Sequence, residues 1–284
     1  MANDATLYAH RGYRQKFPEN TMIAFREALK LDVDGIEIDV RMTNDYNIVI
    51  MHDANIDRTT TGHGHVCDRS LAQIKEADAG IKFGEQFKGE KVPTLEELLV
   101  LLKDRPDQKL LLELKDYPEE YGDFAYVSCE ITLDLCKKYG VWGKDRLTVI
   151  TFSAGLCQWI KNKHKNEEII IHGFFPKTQM KGSDVVDPYP FIDEVCLFAG
   201  GGENKNTDCR KWWSGGREVS PVVDKMHFQD FKYLGIKPCV YFSWNTNEED
   251  YKKAYEYGAR GFTCDDAYTC GIILDKIGAR KLKK

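Results

Sequence analysis

The sequence has neither an excess of basic residues nor a long apolar run. Its 45 Asp and Glu residues outnumber its 40 Lys and Arg residues, so the 284-residue chain carries a net charge of −5. Proteins that coat nucleic acid usually present clustered positive charge, so we expect no nucleic-acid partner. The longest apolar runs, such as Leu98–Leu102 and Val195–Ala199, hold about five residues, against roughly 18 for a membrane span. We therefore predict neither a transmembrane helix nor a stable membrane anchor.

A secretory leader and paired cysteines are also missing. Residues 1–5 contain neither the charged stretch nor the apolar stretch of a signal peptide. The nine cysteines are odd in number and no two are spaced as C-x-x-C, which argues against a disulfide framework and against a zinc site. We expect a cytoplasmic protein whose thiols are mostly small buried side chains in a reducing compartment.

Short apolar runs alternate along the chain with longer segments of helical period. The predicted strands are Leu7–His10, Gly35–Val40, Lys109–Leu114, Leu147–Phe152, Ile169–Phe174, Glu194–Phe198, Pro238–Phe242 and Ala259–Thr263. Eight β–α units in succession favour one (β/α)₈ TIM barrel over residues 1–284, because such a barrel typically takes about 250 residues. A doubly wound open sheet is the alternative, but no G-x-G-x-x-G follows the first strand.

Helical segments follow most of these strands. They are Thr21–Leu31, Leu95–Leu102, Phe124–Tyr139, Gly155–Lys163, Asp224–Tyr233, Glu248–Tyr257 and Tyr268–Ile277, and Asn20 is the predicted N-cap of the first. Two segments, 44–93 and 200–221, break the regular alternation. The second, Gly200–Pro221, contains Trp212, Trp213 and Arg217, which either line a pocket or belong to an ordinary surface loop.

Three acidic residues lie on neighbouring predicted strands. Glu37 and Asp39 are two positions apart and so share one face of the second strand, while Glu113 lies on the third. Buried charges are costly unless they are paired or bound to a metal. Carboxylate oxygens suit Mg²⁺ or Ca²⁺, whereas zinc more usually recruits histidine or thiolate. The pattern therefore predicts an oxygen-rich divalent-cation site at these three residues.

Two histidines lie at strand ends beside these acids. His10 ends the first strand and His52 follows the strand-like extension Ile48–Met51. A general acid–base pair explains such a placement better than two unrelated structural histidines. Arg11 and Lys115 add positive charge, which suits a phosphate-bearing substrate. The remaining histidines have no such surroundings and are given no role: His63, His65, His164, His172 and His227.

Seven short motifs occur in order between Leu7 and Lys115. They are A-H-R-G (Ala9–Gly12), P-E-N-T (Pro18–Thr21), E-I-D-V (Glu37–Val40), H-D (His52–Asp53), R-T-T-T-G-H-G (Arg58–Gly64), V-P-T-L-E-E-L-L (Val92–Leu99) and L-E-L-K (Leu112–Lys115). Their order and spacing resemble those of the glycerophosphodiester phosphodiesterases. The resemblance continues through T-F-S (Thr151–Ser153), S-W-N-T-N (Ser243–Asn247) and Y-G-A-R-G-F-T-C-D (Tyr257–Asp265).

This resemblance implies a role for each candidate residue. It makes His10 and His52 the catalytic histidines, Glu37, Asp39 and Glu113 the ligands of a divalent cation, and Arg11 and Lys115 the phosphate contacts. It also implies a small cap formed by residues 53–91 and a place for Trp244 beside the alcohol portion of the substrate. In this family the neighbouring glycerol hydroxyl is thought to attack phosphorus, giving a cyclic phosphate that water then opens.

The implied reaction is metal-dependent hydrolysis of a glycerophosphodiester to glycerol 3-phosphate and an alcohol, as part of lipid and glycerol metabolism. One alternative is a phospholipase D-like phosphodiesterase that acts on lysophospholipids or sphingomyelin, although no amphipathic membrane anchor is evident. A second alternative is a non-catalytic barrel that binds phosphate or metal. The implied hydrolase acts on a small-molecule glycerophosphodiester. All three functions are compatible with a homo-oligomer.

Overall fold

Nine strands form one sheet in the computed structural model, which describes residues 3–197 and 225–281. They are β1 (Thr6–His10), β2 (Gly35–Met42), β3 (Ile48–Ile50), β4 (Lys109–Leu114), β5 (Leu147–Ile150), β6 (Ile170–Phe175), β7 (Glu194–Leu197), β8 (Lys237–Ser243) and β9 (Gly261–Cys264). Every strand except β3 pairs with its neighbours in parallel, and β1 pairs with both β2 and β9. The eight parallel strands therefore close into the predicted TIM barrel. β3 pairs antiparallel with the end of β2.

The barrel strands form where apolar residues occupy both parities. All eight residues of β2 are buried, and the apolar residues Ile36, Ile38 and Val40 are among them. A strand that is covered by helices outside and by side chains inside needs such a pattern. For this reason the predicted strands agree with the observed ones to within two residues at each described end.

The described helices lie between and after the strands. They are α1 (Met22–Ala28), α2 (Leu71–Glu76), α3 (Leu95–Lys103), α4 (Pro118–Tyr121), α5 (Asp123–Lys138), α6 (Ala154–Lys163), α7 (Lys225–Tyr233), α8 (Glu248–Tyr257) and α9 (Ala267–Lys276). The sequence analysis missed the short helices α2 and α4. Between β6 and β7 the described chain forms only the 3₁₀ turns Lys177–Gln179 and Tyr189–Phe191. No described helix combines the length and the apolar character that crossing a bilayer requires.

The predicted N-cap of the first helix is wrong by one residue. Thr21 has an extended backbone and its side chain accepts from the Ala24 N–H, so it is the N-cap of α1. Asn20 instead has a φ of +55°, in the left-handed region, whereas an N-cap residue is usually extended. The Asn20 side chain points toward the barrel and donates to Asp39 Oδ2 at 2.9 Å.

Residues 53–91 lie between β3 and α3 and contain α2. Their apolar side chains, with neighbours from β3 and Val92, form a hydrophobic cluster separate from the main core: Val49, Met51, Ile56, Val66, Ile74, Ala77, Ala79 and Val92. Arg58 joins the segment to the β1–α1 connection through Glu19, with Nη2 2.7 Å from Oε1. The role of this segment as a cap over the active site stays a prediction.

Candidate active site

The three predicted metal ligands lie together at the carboxyl ends of β2 and β4. Asp39 and Glu113 are register partners across the two strands, and Glu37 lies on the same face as Asp39. One carboxylate oxygen from each residue lies within 4.8 Å of the others, and all three side chains are buried. The parallel register thus places Glu113 of β4 beside Asp39 of β2, and the i, i+2 spacing places Glu37 on the same face. The three side chains therefore form one cluster of oxygen atoms.

Two cations, Lys115 and Arg11, border this cluster. Lys115 Nζ lies 2.5 Å from Glu113 Oε1 and 3.1 Å from Asp39 Oδ1. The Arg11 backbone N–H donates to Glu37 Oε2 at 3.0 Å, and its Nε lies 3.2 Å from Asp39 Oδ2. The structure therefore places both predicted phosphate contacts directly against the predicted metal ligands.

The chemistry of these donors fits a hard divalent cation. Burial, followed by the charges of Asp39 and Glu113, raises the pKa of Glu37 well above its usual range. Asp39 differs, because Lys115 and Arg11 outweigh the effect of burial and lower its pKa. Among the residues that the structure describes, its Oδ1 nevertheless receives no hydrogen bond, although Lys115 Nζ lies 3.1 Å away. Three crowded carboxylates are relieved by a divalent ion, and Mg²⁺ and Ca²⁺ prefer such oxygen ligands.

His10 is held between a carboxylate and the acidic cluster. Its Nδ1 lies 2.5 Å from Asp265 Oδ1, and its Nε2 lies 3.8 Å from Glu37 Oε2. Burial lowers the pKa of His10 to about 4, although Asp265 opposes this effect. A neutral histidine that donates from Nδ1 to Asp265 presents Nε2 toward the cluster as a proton acceptor.

His52 forms a second pair of the same kind. Its Nδ1 lies 2.7 Å from Asp53 Oδ1, and Arg58 Nε lies 2.5 Å from the other oxygen of Asp53. Burial, followed by the positive charge of Lys115, lowers the pKa of His52 to about 3. Burial therefore lowers the pKa of both predicted catalytic histidines, and each ring is oriented by its own carboxylate.

The profile of the Glycerophosphoryl diester phosphodiesterase family matches residues 10–269, a span that contains every residue of this site. This chain belongs to that family. A glycerophosphodiester phosphodiesterase of Caldanaerobacter subterraneus is 50% identical over 109 residues, which are 38% of this chain and 44% of the relative. The human glycerophosphodiester phosphodiesterase 1 is 43% identical over 91 residues, 31% of this chain and 28% of the relative. The chain thus spans less than half the length of these curated relatives.

Solved structures of family members share the fold. A phosphodiesterase of Oleispira antarctica in complex with sn-glycerol-3-phosphate matches with a TM-score of 0.71 at 22% identity, covering 95% of this chain and 96% of that one. A putative glycerophosphoryl diester phosphodiesterase of Silicibacter pomeroyi matches with a TM-score of 0.75 at 20% identity, covering 99% and 96%. At such identities the likeness shows the barrel and no more.

Several residues of the site escaped the sequence analysis. Asp265 ends the last family motif and follows β9, so its position after a barrel strand could have identified it. Glu19 and Asn20 belong to the P-E-N-T motif, but neither was predicted to take part in the site, and Asn20 was predicted only as a helix N-cap. Asn20 binds Asp39, and Glu19 Oε1 lies 2.8 Å from Arg11 Nη1. Asn20 thus stabilises a member of the acidic cluster, and Glu19 stabilises a side chain that borders it.

Arg41 supports the site from behind. It donates to the backbone carbonyls of His52 and Lys115, each at 3.1 Å, and to Asp116 Oδ1 at 3.2 Å. Asp116 in turn accepts from the Met42 N–H at 2.9 Å. One buried guanidinium therefore joins β2 to the two segments that present His52 and Lys115. No pattern in the sequence distinguished this arginine from an ordinary strand-end residue.

Trp244 lies at the edge of the site rather than against the acidic cluster. Its ring lines a cavity of about 270 Å³, and the guanidinium carbon of Arg14 lies 5.4 Å from its centroid. The structure therefore leaves a contact between Trp244 and the substrate alcohol as a prediction. The Gly200–Pro221 segment, with Trp212, Trp213 and Arg217, lies outside the residues that the structure describes.

A second polar cluster lies near the amino ends of the strands, away from the site. Glu194 Oε2 lies 3.2 Å from His172 Nδ1 and 3.7 Å from Cys239 Sγ, and Lys237 Nζ lies 2.8 Å from Oε1. His172, which the sequence analysis left without a role, therefore has a buried ionic partner. Because Lys237 already neutralises Glu194, we interpret this cluster as a structural ion pair.

Proposed function

We propose that this protein hydrolyses glycerophosphodiesters to glycerol 3-phosphate and an alcohol with the help of a bound divalent cation. One observation carries the proposal. Two histidines, each oriented by a carboxylate, adjoin a buried cluster of three acids that is bordered by Arg11 and Lys115. A phosphodiester requires both charge neutralisation and proton transfer, and this arrangement offers both in one place.

Glu37, Asp39 and Glu113 would hold the cation, Mg²⁺ or Ca²⁺. When bound, such an ion neutralises the phosphodiester oxygens and stabilises the charge that develops in the transition state. Arg11 and Lys115 supply positive charge at the same position from the protein itself. Their side chains are buried and anchored to carboxylates, so little reorganisation is needed when an anionic diester enters.

His10 and His52 would transfer the protons. One histidine, in its neutral form, accepts at Nε2 the proton of the attacking hydroxyl, and the other, in its imidazolium form, donates its Nε2 proton to the leaving alcohol. Asp265 and Asp53 fix the tautomer of each ring and stabilise the charged form that arises during the reaction. Both histidines are present and each is paired with a carboxylate. This favours a catalytic role over the alternative, a barrel that only binds phosphate.

We further propose that the attacking group is the glycerol hydroxyl next to the phosphate. A nucleophile carried by the substrate needs no activated side chain, and a histidine that accepts its proton is sufficient. Intramolecular attack gains up to roughly 7–11 kcal/mol when the reacting groups are well oriented. Water would then open the resulting cyclic phosphate, with the two histidines exchanging roles.

The test is a substrate panel with controlled metal content. The panel contains glycerophosphocholine, glycerophosphoethanolamine, glycerophosphoinositol, glycerophosphoglycerol and a lysophospholipid, each assayed with chelator, Mg²⁺ and Ca²⁺. We expect release of glycerol 3-phosphate that chelation abolishes and one of the two ions restores. His10→Ala and His52→Ala should each lower kcat by roughly 10²–10⁴-fold. His63→Ala is the matched control, because that side chain is 81% exposed.

Two results would contradict the proposal. Full turnover in excess chelator would exclude the cation from the reaction, and failure to cleave any diester in the panel would exclude the activity. Cleavage of the lysophospholipid alone would support the phospholipase D-like alternative.

A further inference from the structure

A cavity of about 270 Å³ lies between the mouth of the barrel and residues 53–91. We call it the rim pocket, and its charged and aromatic lining consists of Arg14, Glu19, Arg58, Lys82, Phe83 and Trp244. The rim pocket adjoins the site at His10, since Arg14 Nη1 lies 3.3 Å from both His10 Nδ1 and Asp265 Oδ1. A substrate whose phosphate lies between the histidines can therefore extend its alcohol portion into this cavity.

The lining of the rim pocket is positively charged. Three cationic side chains line the pocket with one acidic side chain, Glu19. Because Arg14 also contacts Asp265 and Arg58 also contacts Asp53, the uncompensated positive charge is that of Lys82. The single acid, Glu19, is already shared: its oxygens lie 2.8 Å from Arg11 Nη1, 3.2 Å from Arg14 Nη2 and 2.7 Å from Arg58 Nη2. A carboxylate bound by three guanidinium groups has little capacity left for a cationic ligand.

Lys82 is the least neutralised of these cations. Its Nζ donates to the backbone carbonyl of Asp57, which carries no charge. Across residues 3–197 and 225–281, Lys82 forms no ion pair with a carboxylate. Its side chain is exposed, so it can reorient toward a ligand at small cost.

The aromatic side of the pocket is occupied by a cation. The Arg14 guanidinium carbon lies 5.4 Å from the centroid of Trp244, within the range of a cation–π contact. A quaternary ammonium group such as choline is usually bound by an open aromatic face. Here such a group would have to displace Arg14 and would meet the repulsion of Lys82.

We propose that the rim pocket receives the alcohol portion of the diester and selects alcohols that carry their own anionic group, a carboxylate or a second phosphate. This inference rests on the proposed function and names its preferred substrates. Lys82 is the specificity-determining residue with the clearest test, because it contacts neither the histidines nor the acidic cluster through any described hydrogen bond or ion pair.

The experiment compares substrates that differ only in one anionic group. Glycerophosphoserine and glycerophosphoethanolamine differ by a carboxylate, and glycerophosphoinositol 4-phosphate and glycerophosphoinositol differ by a phosphate. In each pair we expect kcat/KM to be higher for the anionic member, by roughly fivefold for each well-placed surface charge. If kcat/KM is higher for the anionic member in only one pair of substrates, that pair identifies which anionic group the pocket accepts. Glycerophosphocholine should be the poorest substrate.

Lys82→Glu tests the assignment to this pocket. The ratio of kcat/KM between anionic and matched substrate should fall by roughly fivefold or more. Lys88→Glu is the control, because Lys88 lies in the same segment, is 66% exposed and does not line the pocket. If Lys82→Glu does not fold, Lys82→Gln and a salt titration of the wild-type protein replace it, since added salt should reduce the same ratio.

The outcomes separate this inference from the proposed function. Hydrolysis of all the diesters without preference, or with a preference for choline, overturns the inference and leaves the activity standing. An unchanged ratio in Lys82→Glu would remove Lys82 from recognition and overturn the assignment to the rim pocket. If no diester is cleaved at all, the proposed function fails and the inference fails with it.

Discussion

His10 Nδ1 lies 2.5 Å from Asp265 Oδ1, although the two residues are 255 positions apart in the sequence. Asp265 is fully buried and also accepts from Ser243 Oγ at 3.0 Å, so its carboxylate is held in place. Burial alone would raise the pKa of Asp265, but the charge interactions with His10 and Arg14 outweigh it and lower the pKa. It therefore stays ionised and acts as a positioning residue for His10.

Replacing Asp265 with Asn should lower kcat by roughly 10²–10⁴-fold with a much smaller change in KM. An amide can donate to His10 Nδ1 and so favour the wrong tautomer, whereas substrate binding depends on other groups. Steady-state kinetics on a glycerophosphodiester measures the split between kcat and KM.

The control for this variant is the same change one residue later. Asp266 is the N-cap of α9 and accepts from the Thr269 N–H at 3.2 Å, a role that Asn fills equally well. Asp266→Asn should therefore keep kcat. Wild-type kcat in Asp265→Asn, or an equal loss in both variants, would show that Asp265 does not position His10.

Cation binding should be visible without any reaction. An ion that binds only the folded protein stabilises it by about 2.7 kcal/mol at 100 times its Kd. For a chain of this length that corresponds to a rise in Tm of roughly 5–10 °C. We expect Mg²⁺ or Ca²⁺ to produce this rise in the wild-type protein, and Asp39→Asn to abolish it, because the substitution removes the charge of a proposed ligand.

Glu85→Gln is the control for the metal experiment, since the Glu85 side chain is 78% exposed and lies outside the site. It should keep the full rise in Tm. The assignment of Asp39 as a ligand would be wrong if Asp39→Asn responded to the ion as the wild-type protein does.

The sequence predicted the barrel and the acidic cluster because both depend on local patterns. The strands are recognised by apolar residues on both parities, and Glu37 and Asp39 share a face by their spacing alone. The partners of the site could not be predicted in this way. Asp265 reaches His10 across the closure of the barrel, and Arg41 reaches Lys115 across two strands, so both contacts exist only in the fold. Asn20 was assigned to a helix cap because its left-handed backbone leaves no local signature.

Gly12 should not tolerate a side chain. Its φ is +78°, and a Cβ at this position would lie 2.8 Å from the backbone carbon of Ala24 in α1. Gly12→Ala should therefore lose about 2–3 kcal/mol of unfolding free energy, from backbone strain and from the close contact. Urea denaturation measures the loss.

Gly89 separates these two causes. Its φ is +98°, but a Cβ there would have no atom of the described residues within 4 Å. Gly89→Ala should lose only the cost of the left-handed backbone, about 1–2 kcal/mol. Equal stability of the two variants would mean that Gly12 is needed for its φ alone and not for the close approach of α1.

The ion pair between the buried Glu194 and the partly exposed Lys237 should contribute to stability in a pH-dependent way. Burial alone would raise the pKa of Glu194. A hydrogen bond from His172 and the charge of Lys237 outweigh burial and lower this pKa to about 2. A carboxyl whose pKa is lower in the folded state contributes stability above its unfolded pKa of about 4.3. This contribution is lost as the pH falls from there toward about 2.

Glu194→Gln should accordingly lose about 1–3 kcal/mol at neutral pH, and the difference from the wild-type protein should shrink in acid. Urea denaturation at several pH values measures this. Glu168→Gln is the control, because the Glu168 pair with Lys144 is on the surface, and it should change stability by less than about 0.5 kcal/mol. A difference that does not vary with pH would mean that the ionised pair is not its source.

The last prediction concerns the attacking group. If the glycerol hydroxyl attacks phosphorus, a diester that lacks this hydroxyl should be cleaved far more slowly, although Arg11, Lys115 and the cation can still bind its phosphate. The rate of cleavage should fall by roughly 10⁵-fold or more, which is the advantage of a well-oriented intramolecular reaction. Binding can be checked separately, because the deoxy diester should inhibit hydrolysis of the parent with a Ki close to the parent's Kd. Hydrolysis of the deoxy analogue at the parent's rate would mean that water attacks directly. His10 and His52 would then activate that water and protonate the leaving group instead.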